Sequence, residues 1–318
     1  MRRPAPAASA ALALLATLLL AGCSSDDDAP EPTPSETTGA ASAEDVATLA
    51  AVTVEGETGA APTVTFDVPF TISSPVARPD VEGSGDEVTA TDLLAIDYVA
   101  LSGDDGSELG STWENGAPET IALSDPSIFP VLVDAFVGQQ VGARVLFAAP
   151  GGEATESAEA YAATVMAIEI VEILPTRAEG EAVTPPAGLP VVTLAEDGTP
   201  SIDVPEGTVE PTELVVQPLI VGDGPVVETG QVLTVQYSGW LFDETQFDTS
   251  WDNGVPFQTQ IGSGSVIDGW DQGLVGQTVG SQVLLVIPPE LGYGETGSGE
   301  SIPPNSTLIF VVDILAAN

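Results

Sequence analysis

The sequence predicts an α+β protein with two tandem copies of one domain, each a twisted antiparallel β-sheet wrapped around a short α-helix. Matching segments recur at one spacing: Glu114–Pro118 corresponds to Asp252–Pro256, and Phe136–Gly142 to Leu274–Gly280, each pair 138 residues apart. A constant spacing across separated segments indicates a repeated domain. In the second copy strand patterns are frequent and helical patterns are scarce, which favours a sheet packed over one helix.

Local patterns define the elements of the second copy. Val232–Tyr237 alternates apolar and polar residues with the period of two expected of a half-buried strand. Val283–Ile287 is a short apolar run that ends at two prolines, as a central strand does, and Thr307–Leu315 is rich in β-branched and apolar residues. Val266–Leu274 is a helical candidate, with Asp268 placed to cap it.

The N-terminal part of the chain has the composition of an export signal followed by a tether. Residues 1–22 contain two Arg residues followed by a short apolar run. This pattern predicts a cleaved signal peptide. Leu-Ala-Gly directly before Cys23 resembles a bacterial lipobox, which implies a lipid on Cys23 that anchors the exported chain to the outer face of the cell membrane. The alternative is an ordinary signal peptide with an incidental Cys. The composition of residues 23–47, which is acidic and rich in proline, predicts a flexible tether.

The domain boundaries follow from the repeat and from composition. We place the first copy at residues 48–175 and the second at residues 189–318. The segment between them, residues 176–188, is rich in Pro, Gly, Glu and Ala, which predicts a linker.

Charge and reactive side chains exclude several functions. The sequence has 48 acidic residues, five Arg and no Lys, so its formal net charge of −43 repels nucleic acid. It has no His and one Cys, which excludes a Ser-His-Asp triad, a His-activated thiol and the commonest metal ligands. We therefore expect a function that uses neither a metal nor a cofactor.

A series of ordered segments in the second copy carries a specific resemblance. The segments are Val235–Leu241, Phe247–Ser250, Pro256–Phe257, Gly262–Leu274, Ile287–Gly294 and Ile302–Phe310. Together, between Leu214 and Leu315, they resemble an FKBP-type peptidyl-prolyl cis-trans isomerase. The resemblance implies isomerisation of X-Pro peptide bonds and binding of macrolides such as tacrolimus.

The resemblance also implies a prolyl pocket at matching positions. Aromatic walls would come from Tyr237, Phe247, Phe257 and Phe310. Trp270 would form the floor beneath the proline ring, with Val266 and Ile267 beside it and the Ile267 backbone N–H bound to a substrate carbonyl. Asp248 and the Tyr293 hydroxyl would be the polar groups, and Ile302 would belong to the flanking loop.

The chemistry of such a pocket suits a chain without His. Rotation about an X-Pro bond has a barrier of roughly 18–20 kcal/mol because the planar amide is resonance-stabilised. The twisted transition state has less charge separation, so a dry aromatic pocket disfavours the planar form relative to the twisted one. We expect an enzyme that acts on proline-containing exported polypeptides. The alternatives are a non-catalytic polypeptide-binding module or holdase, and a purely structural envelope protein.

The first copy retains the segments that build the fold but not those that build the pocket. Tyr98 corresponds to Tyr237. The replacements are Leu109 for Phe247, Gly110 for Asp248, Glu119 for Phe257 and Leu132 for Trp270. We expect the first copy to be a non-catalytic spacer, substrate-holding surface or packing partner.

Overall fold

The computed structural model describes residues 41–153 and 160–318. The chain divides into two compact units, Met1–Ile173 and Leu174–Asn318. The expected signal peptide, Cys23 and most of the expected tether lie outside the described residues. Among the residues that are described, no helix has both the length and the apolar character needed to cross a membrane.

The first unit has one main sheet with a helix-and-hairpin segment before it. Its described elements are α1 (Ala43–Ala50), β1 (Thr53–Glu55), β2 (Thr63–Thr65), β3 (Val76–Val81), β4 (Leu93–Ser102), β5 (Glu108–Ser111), α2 (Thr112–Asn115), β6 (Glu119–Ala122), α3 (Pro130–Phe136), β7 (Arg144–Ala149) and β8 (Thr164–Leu174). The main sheet has the order β3-β7-β8-β4-β5, with β6 also paired to β4. Strands β1 and β2 form a separate antiparallel hairpin.

The second unit repeats this arrangement. Its elements are β9 (Glu181–Ala182), β10 (Val191–Leu194), β11 (Pro200–Asp203), β12 (Val215–Val221), β13 (Val232–Leu241), β14 (Gln246–Thr249), a 3-10 turn (Trp251–Asn253), β15 (Phe257–Gln260), α4 (Asp268–Leu274), β16 (Gln282–Ile287), a 3-10 turn (Pro289–Leu291) and β17 (Leu308–Ala317). The main sheet has the order β14-β13-β17-β16-β12-β9, with β15 also paired to β13.

The strand order confirms the predicted α+β class and matches between the units. The order β3-β7-β8-β4-β5 has the same connectivity as β12-β16-β17-β13-β14. Helices α3 and α4 begin 138 residues apart, at Pro130 and Asp268, and so do strands β7 and β16, at Arg144 and Gln282. The spacing found in the sequence is therefore a spacing between equivalent structural elements.

The predicted helix begins two residues later than expected. Ile267 is its N-cap residue, with no side-chain cap hydrogen bond, and Asp268 is the first helical residue. The expectation that Asp268 caps the helix is therefore wrong. An acidic residue in the first turn still stabilises the helix through its macrodipole.

Each main sheet is covered on both faces, which explains its continuous apolar strands. In β16, Val283 and Leu285 belong to the core around α4, whereas Leu284 and Val286 pack with residues of the β10–β11 segment. Alternate side chains of a strand point to opposite faces, so a strand covered on both sides needs no polar face. In the first unit, alternate residues of β7 likewise pack on the core around α3 and against the β1–β2 hairpin.

Residues 43–47, which we assigned to the tether, form the start of α1. The Ser42 hydroxyl caps this helix by accepting the N–H of Asp45 at 3.0 Å. The buried Asp45 carboxylate accepts the Ser73 N–H at 2.8 Å and the hydroxyls of Ser73 and Ser74. The folded part of the chain thus begins earlier than expected, because these donors hold the helix against the first unit.

The segment that we predicted as a linker, residues 176–188, contributes to the second unit. Its residues Glu181 and Ala182 form β9, which pairs with β12 at the edge of the sheet. The N–H of the buried Ala178 donates to the carboxylate of Asp313 in β17 at 2.8 Å. These contacts make this part of the segment a component of the second domain.

Candidate active site

An open cavity of about 280 Å³ lies in the second unit beside the N-terminus of α4. Strands β13, β14, β15 and β17, helix α4, the loop before it and the turn after Pro289–Leu291 all contribute to its wall. The lining residues are Tyr237, Phe247, Asp248, Phe257, Ser265, Val266, Ile267, Trp270, Tyr293 and Phe310.

The indole of Trp270 forms the centre of an aromatic cluster in this cavity. Its ring centroid lies 5.3 Å from that of Tyr237 and 5.4 Å from that of Phe310, both edge to face. Phe247 meets Phe310 in the same geometry at 5.5 Å, and Phe257 lies 5.7 Å from Tyr237. Edge-to-face contacts fix aromatic rings in defined orientations. The cavity therefore has a rigid, apolar floor, with Trp270 only 4% exposed.

The polar side chains that line the cavity are two phenols, one carboxylate and the hydroxyl of Ser265. The Tyr237 hydroxyl donates to Asp248 Oδ2 at 2.5 Å. Burial raises the pKa of Tyr237, and the nearby Asp248 carboxylate raises it further. Burial and the same carboxylate also raise the pKa of Tyr293. Both phenols thus keep their protons at neutral pH and remain hydrogen-bond donors.

Asp248 has no cationic partner within the described residues. The ion pairs found there involve Arg78 and Arg144, both in the first unit. The carboxylate of Asp248 instead accepts a hydrogen bond from the Tyr237 hydroxyl, so its negative charge stays at the wall of the cavity.

Buried hydrogen bonds set the position of Tyr237 on β13. Its N–H donates to the Ser250 hydroxyl oxygen at 2.9 Å, and that hydroxyl donates to Gln236 Oε1. These bonds join β13 to the end of β14, so Tyr237 and Asp248 are held on paired strands. Gly239 lies beneath the rings, where a Cβ atom would approach Phe310 to 2.7 Å. A larger residue there would displace the aromatic wall.

The structure brings nine of the ten residues named from the sequence to the cavity wall. Ile302 is not among the lining residues; it is 7% exposed and packs in the same apolar cluster as Trp270 and Phe310. Its N–H donates to the Ser298 carbonyl, and its carbonyl accepts the Ser298 N–H, which closes the flanking loop. Ser265 lines the cavity but was not predicted, although it lies inside the matched segment Gly262–Leu274.

The first unit has packed side chains at the equivalent positions. Tyr98 is 1% exposed, and its hydroxyl donates to Glu119 at 2.9 Å. Leu132, which corresponds to Trp270, is buried in the core, and the Phe129 ring lies 5.5 Å from that of Phe147. Burial raises the pKa of Glu119. These groups stabilise the inner face of the first sheet.

Known proteins resemble the second unit. The family of FKBP-type peptidyl-prolyl cis-trans isomerases matches residues 224–315. An FK506-binding protein of Streptomyces anulatus is 45% identical over 119 residues, which cover 37% of this chain and 95% of that protein. An FK506-binding protein of Neisseria meningitidis serogroup A is 44% identical over 102 residues, which cover 32% and 94%. The crystal structure of FkpA from Escherichia coli has 35% sequence identity and a TM-score of 0.31, covering 40% of this chain and 51% of that one.

The family match and the two FK506-binding relatives place the second unit in the class of peptidyl-prolyl cis-trans isomerases. More particularly, the chain belongs to the FKBP-type peptidyl-prolyl cis-trans isomerase family, as the segments of the second copy predicted. The residues that match the family model lie in the second unit.

Proposed function

We propose that the aromatic cleft of the second unit catalyses cis-trans isomerisation of X-Pro bonds in exported polypeptides at the cell envelope. The observation that carries this proposal is the cluster of Trp270, Tyr237 and Phe310 rings at the floor of an open cavity. A proline ring is compact and apolar, so an aromatic floor of this kind suits it.

Catalysis in this proposal is non-covalent. A proline ring over Trp270 places its preceding amide against apolar walls, where the planar, charge-separated form is disfavoured relative to the twisted form. The Ile267 backbone N–H holds a substrate carbonyl on one side of the bond. The phenol of Tyr293 supplies a further donor, whereas the Tyr237 hydroxyl donates to Asp248. A millionfold acceleration requires about 8 kcal/mol of differential stabilisation, and no nucleophile or base takes part.

The proposed site of action follows from the N-terminal sequence. Residues 1–22 have the pattern of an export signal, and Cys23 follows a lipobox-like sequence. A lipid on Cys23 would hold the isomerase at the outer face of the cell membrane, where newly exported chains fold. Mass spectrometry of the mature N-terminus tests this step, since a lipid adds a defined mass to Cys23.

We also propose that the first unit is a degenerate, non-catalytic copy. Leu132 and Glu119 stand where the second unit has Trp270 and Phe257, and Tyr98 is buried with its hydroxyl bonded to Glu119. These replacements fill the place of the cleft with core side chains. A spacer or polypeptide-holding role suits such a surface.

A protease-coupled assay of the whole chain tests the proposed activity. The protease cleaves the trans form of an X-Pro-Phe peptide, so an isomerase speeds the slow phase of cleavage. We expect turnover well above the uncatalysed rate, and inhibition by tacrolimus, which the names of the FK506-binding relatives suggest. No rate above background would select the alternative, a polypeptide-binding module or holdase.

A further inference from the structure

A short loop, residues 262–267, forms one wall of the cleft. It joins β15 to α4 and contributes the lining residues Ser265, Val266 and Ile267. Gly262 and Gly264 have φ values of +71° and +77°, in the left-handed region that favours glycine. A segment with two such glycines has many conformations open to it, so a specific contact has to select the one that lines the cleft.

The carboxylate of Asp271 makes that contact. Its Oδ1 accepts the N–H of Gly262 at 2.7 Å, and its Oδ2 accepts the N–H of Gly264 at 2.8 Å. Hydrogen bonds from backbone N–H groups to a carboxylate are charge-assisted and stronger than neutral ones. Asp271 directly follows Trp270 in α4, so one side chain ties the loop to the helix that carries the floor of the cleft.

The loop's other side-chain hydrogen bonds do not connect it to the helix. The Ser263 hydroxyl donates to the Gln260 carbonyl at 3.0 Å and lies 2.8 Å from the Ser265 hydroxyl. These bonds stay within the loop and the strand before it. In the first unit, Val133 occupies the position equivalent to Asp271, 138 residues earlier, and offers no acceptor. The two hydrogen bonds that Asp271 accepts from Gly262 and Gly264 form a clamp on the loop. This clamp is a feature of the unit that has an open cleft.

We propose that Asp271 is a positioning residue, whose two hydrogen bonds hold the 262–267 loop in the conformation that completes the prolyl cleft. This inference rests on the proposed function. Without the clamp, the loop is competent for binding during a smaller fraction of the time, and the apparent affinity for substrate falls by that fraction. A bound substrate selects the competent loop, so KM rises while kcat changes little.

The test measures kcat and KM of the whole chain with Asp271→Ala and Asp271→Asn in the protease-coupled assay. We expect Asp271→Ala to raise KM about 10-fold and to leave kcat within about 2-fold, as a reduced competent fraction requires. Asp271→Asn keeps one acceptor oxygen and should give a smaller rise. The matched control is Asp268→Asn, an exposed carboxylate in the same helix that leaves the loop bonds intact, and its KM should stay unchanged.

Backbone amide exchange provides a second readout. The N–H groups of Gly262 and Gly264 should exchange faster in Asp271→Ala than in the unsubstituted chain, at equal global stability. If Asp271→Ala does not fold, the same comparison is made with Asp271→Asn. An unchanged KM, a fall in kcat alone, or an equal rise of KM in Asp268→Asn would overturn the inference.

The two proposals fail in different ways. An unsubstituted chain without isomerase activity contradicts the proposed function. In that case amide exchange still decides whether Asp271 holds the loop, and unchanged exchange at Gly262 and Gly264 would overturn the clamp as well.

Discussion

The two units share one strand order but differ at the end of the sheet where the helix begins. In the second unit, Trp270 and Tyr237 lie at the floor of an open cavity. In the first unit, Leu132 and Tyr98 occupy the same positions and are buried in the core. The fold depends on apolar strands that are buried on both faces of the sheet, which both copies keep. The cleft depends on a few aromatic and polar side chains, and the first unit has the same strand order with other residues at those positions.

The largest expected effect comes from a matched pair of substitutions at equivalent positions of α4 and α3. Trp270→Ala removes the floor of the cleft, and we expect kcat/KM to fall about 30-fold, which is about 2 kcal/mol of transition-state binding. Leu132→Ala leaves a cavity in the core of the first unit, which costs about 3 kcal/mol of stability. Its kcat/KM should nevertheless stay unchanged in the protease-coupled assay.

A second substitution at the floor serves as the control for a loss of folding. Trp270→Phe keeps an aromatic ring, so it should retain more activity than Trp270→Ala at the same folded fraction in circular dichroism. Equal losses of activity from Trp270→Ala and Leu132→Ala would remove the distinction between the units.

A smaller effect concerns the outer faces of the two sheets, where each unit buries an acid at an equivalent position. Arg144 pairs in register with Glu169, and Gln282 pairs with Asp313. Glu169 has an ion pair with Arg144 at 3.5 Å, whereas Asp313 accepts a hydrogen bond from the Gln282 amide at 2.8 Å. Burial raises the pKa of Asp313 to about 6, and hydrogen bonds from Ala178 and Gln282 counter the shift in part.

This difference predicts how stability depends on pH. The folded second unit binds a proton at Asp313 between pH 6 and pH 3.8, where the unfolded chain does not, so its stability rises as the pH falls through 6. From about pH 7.5 to about pH 5, the chain should gain about 1 kcal/mol relative to Asp313→Asn, which lacks the titrating group.

Urea unfolding followed by tryptophan fluorescence measures this gain. Three of the four Trp residues, Trp240, Trp251 and Trp270, lie in the second unit, so the signal reports mainly on that unit. A gain that survives in Asp313→Asn would assign the pH dependence to other groups. Glu169→Gln should change the pH dependence less, because the hydrogen bond from the Gly59 N–H and the Arg144 charge both oppose the effect of burial on the pKa of Glu169.

The sequence predicted the main sheets better than the segments that cover them. Strands β13, β16 and β17 have strong local patterns, and the repeat transfers their assignment to the first unit. The hairpins β1–β2 and β10–β11 have strands of three or four residues, too short for a clear period. Helix α1 has a capping pattern in the sequence, Ser42 followed three residues later by Asp45. The assignment of this segment to the tether rested on its composition, which does not reveal the pattern.

The lining residues of the cleft that lie in family motifs could be predicted from the sequence. Contacts that depend on the backbone conformation of the loops could not. Nine named residues reach the wall because their strands and helix set their directions. Ile302 lies in the flanking loop that its backbone pairing with Ser298 closes, and it packs in the apolar cluster that contains Trp270. The contacts of Asp271 depend on two left-handed glycines whose conformation a sequence pattern does not specify.

Isomerase activity of the two units, produced separately, tests most directly whether the second unit carries the function. Residues 174–318 should retain the kcat/KM of the whole chain on a short X-Pro peptide, and residues 41–173 should show the uncatalysed rate. Turnover by residues 41–173, or a large loss of turnover in residues 174–318, would contradict the account.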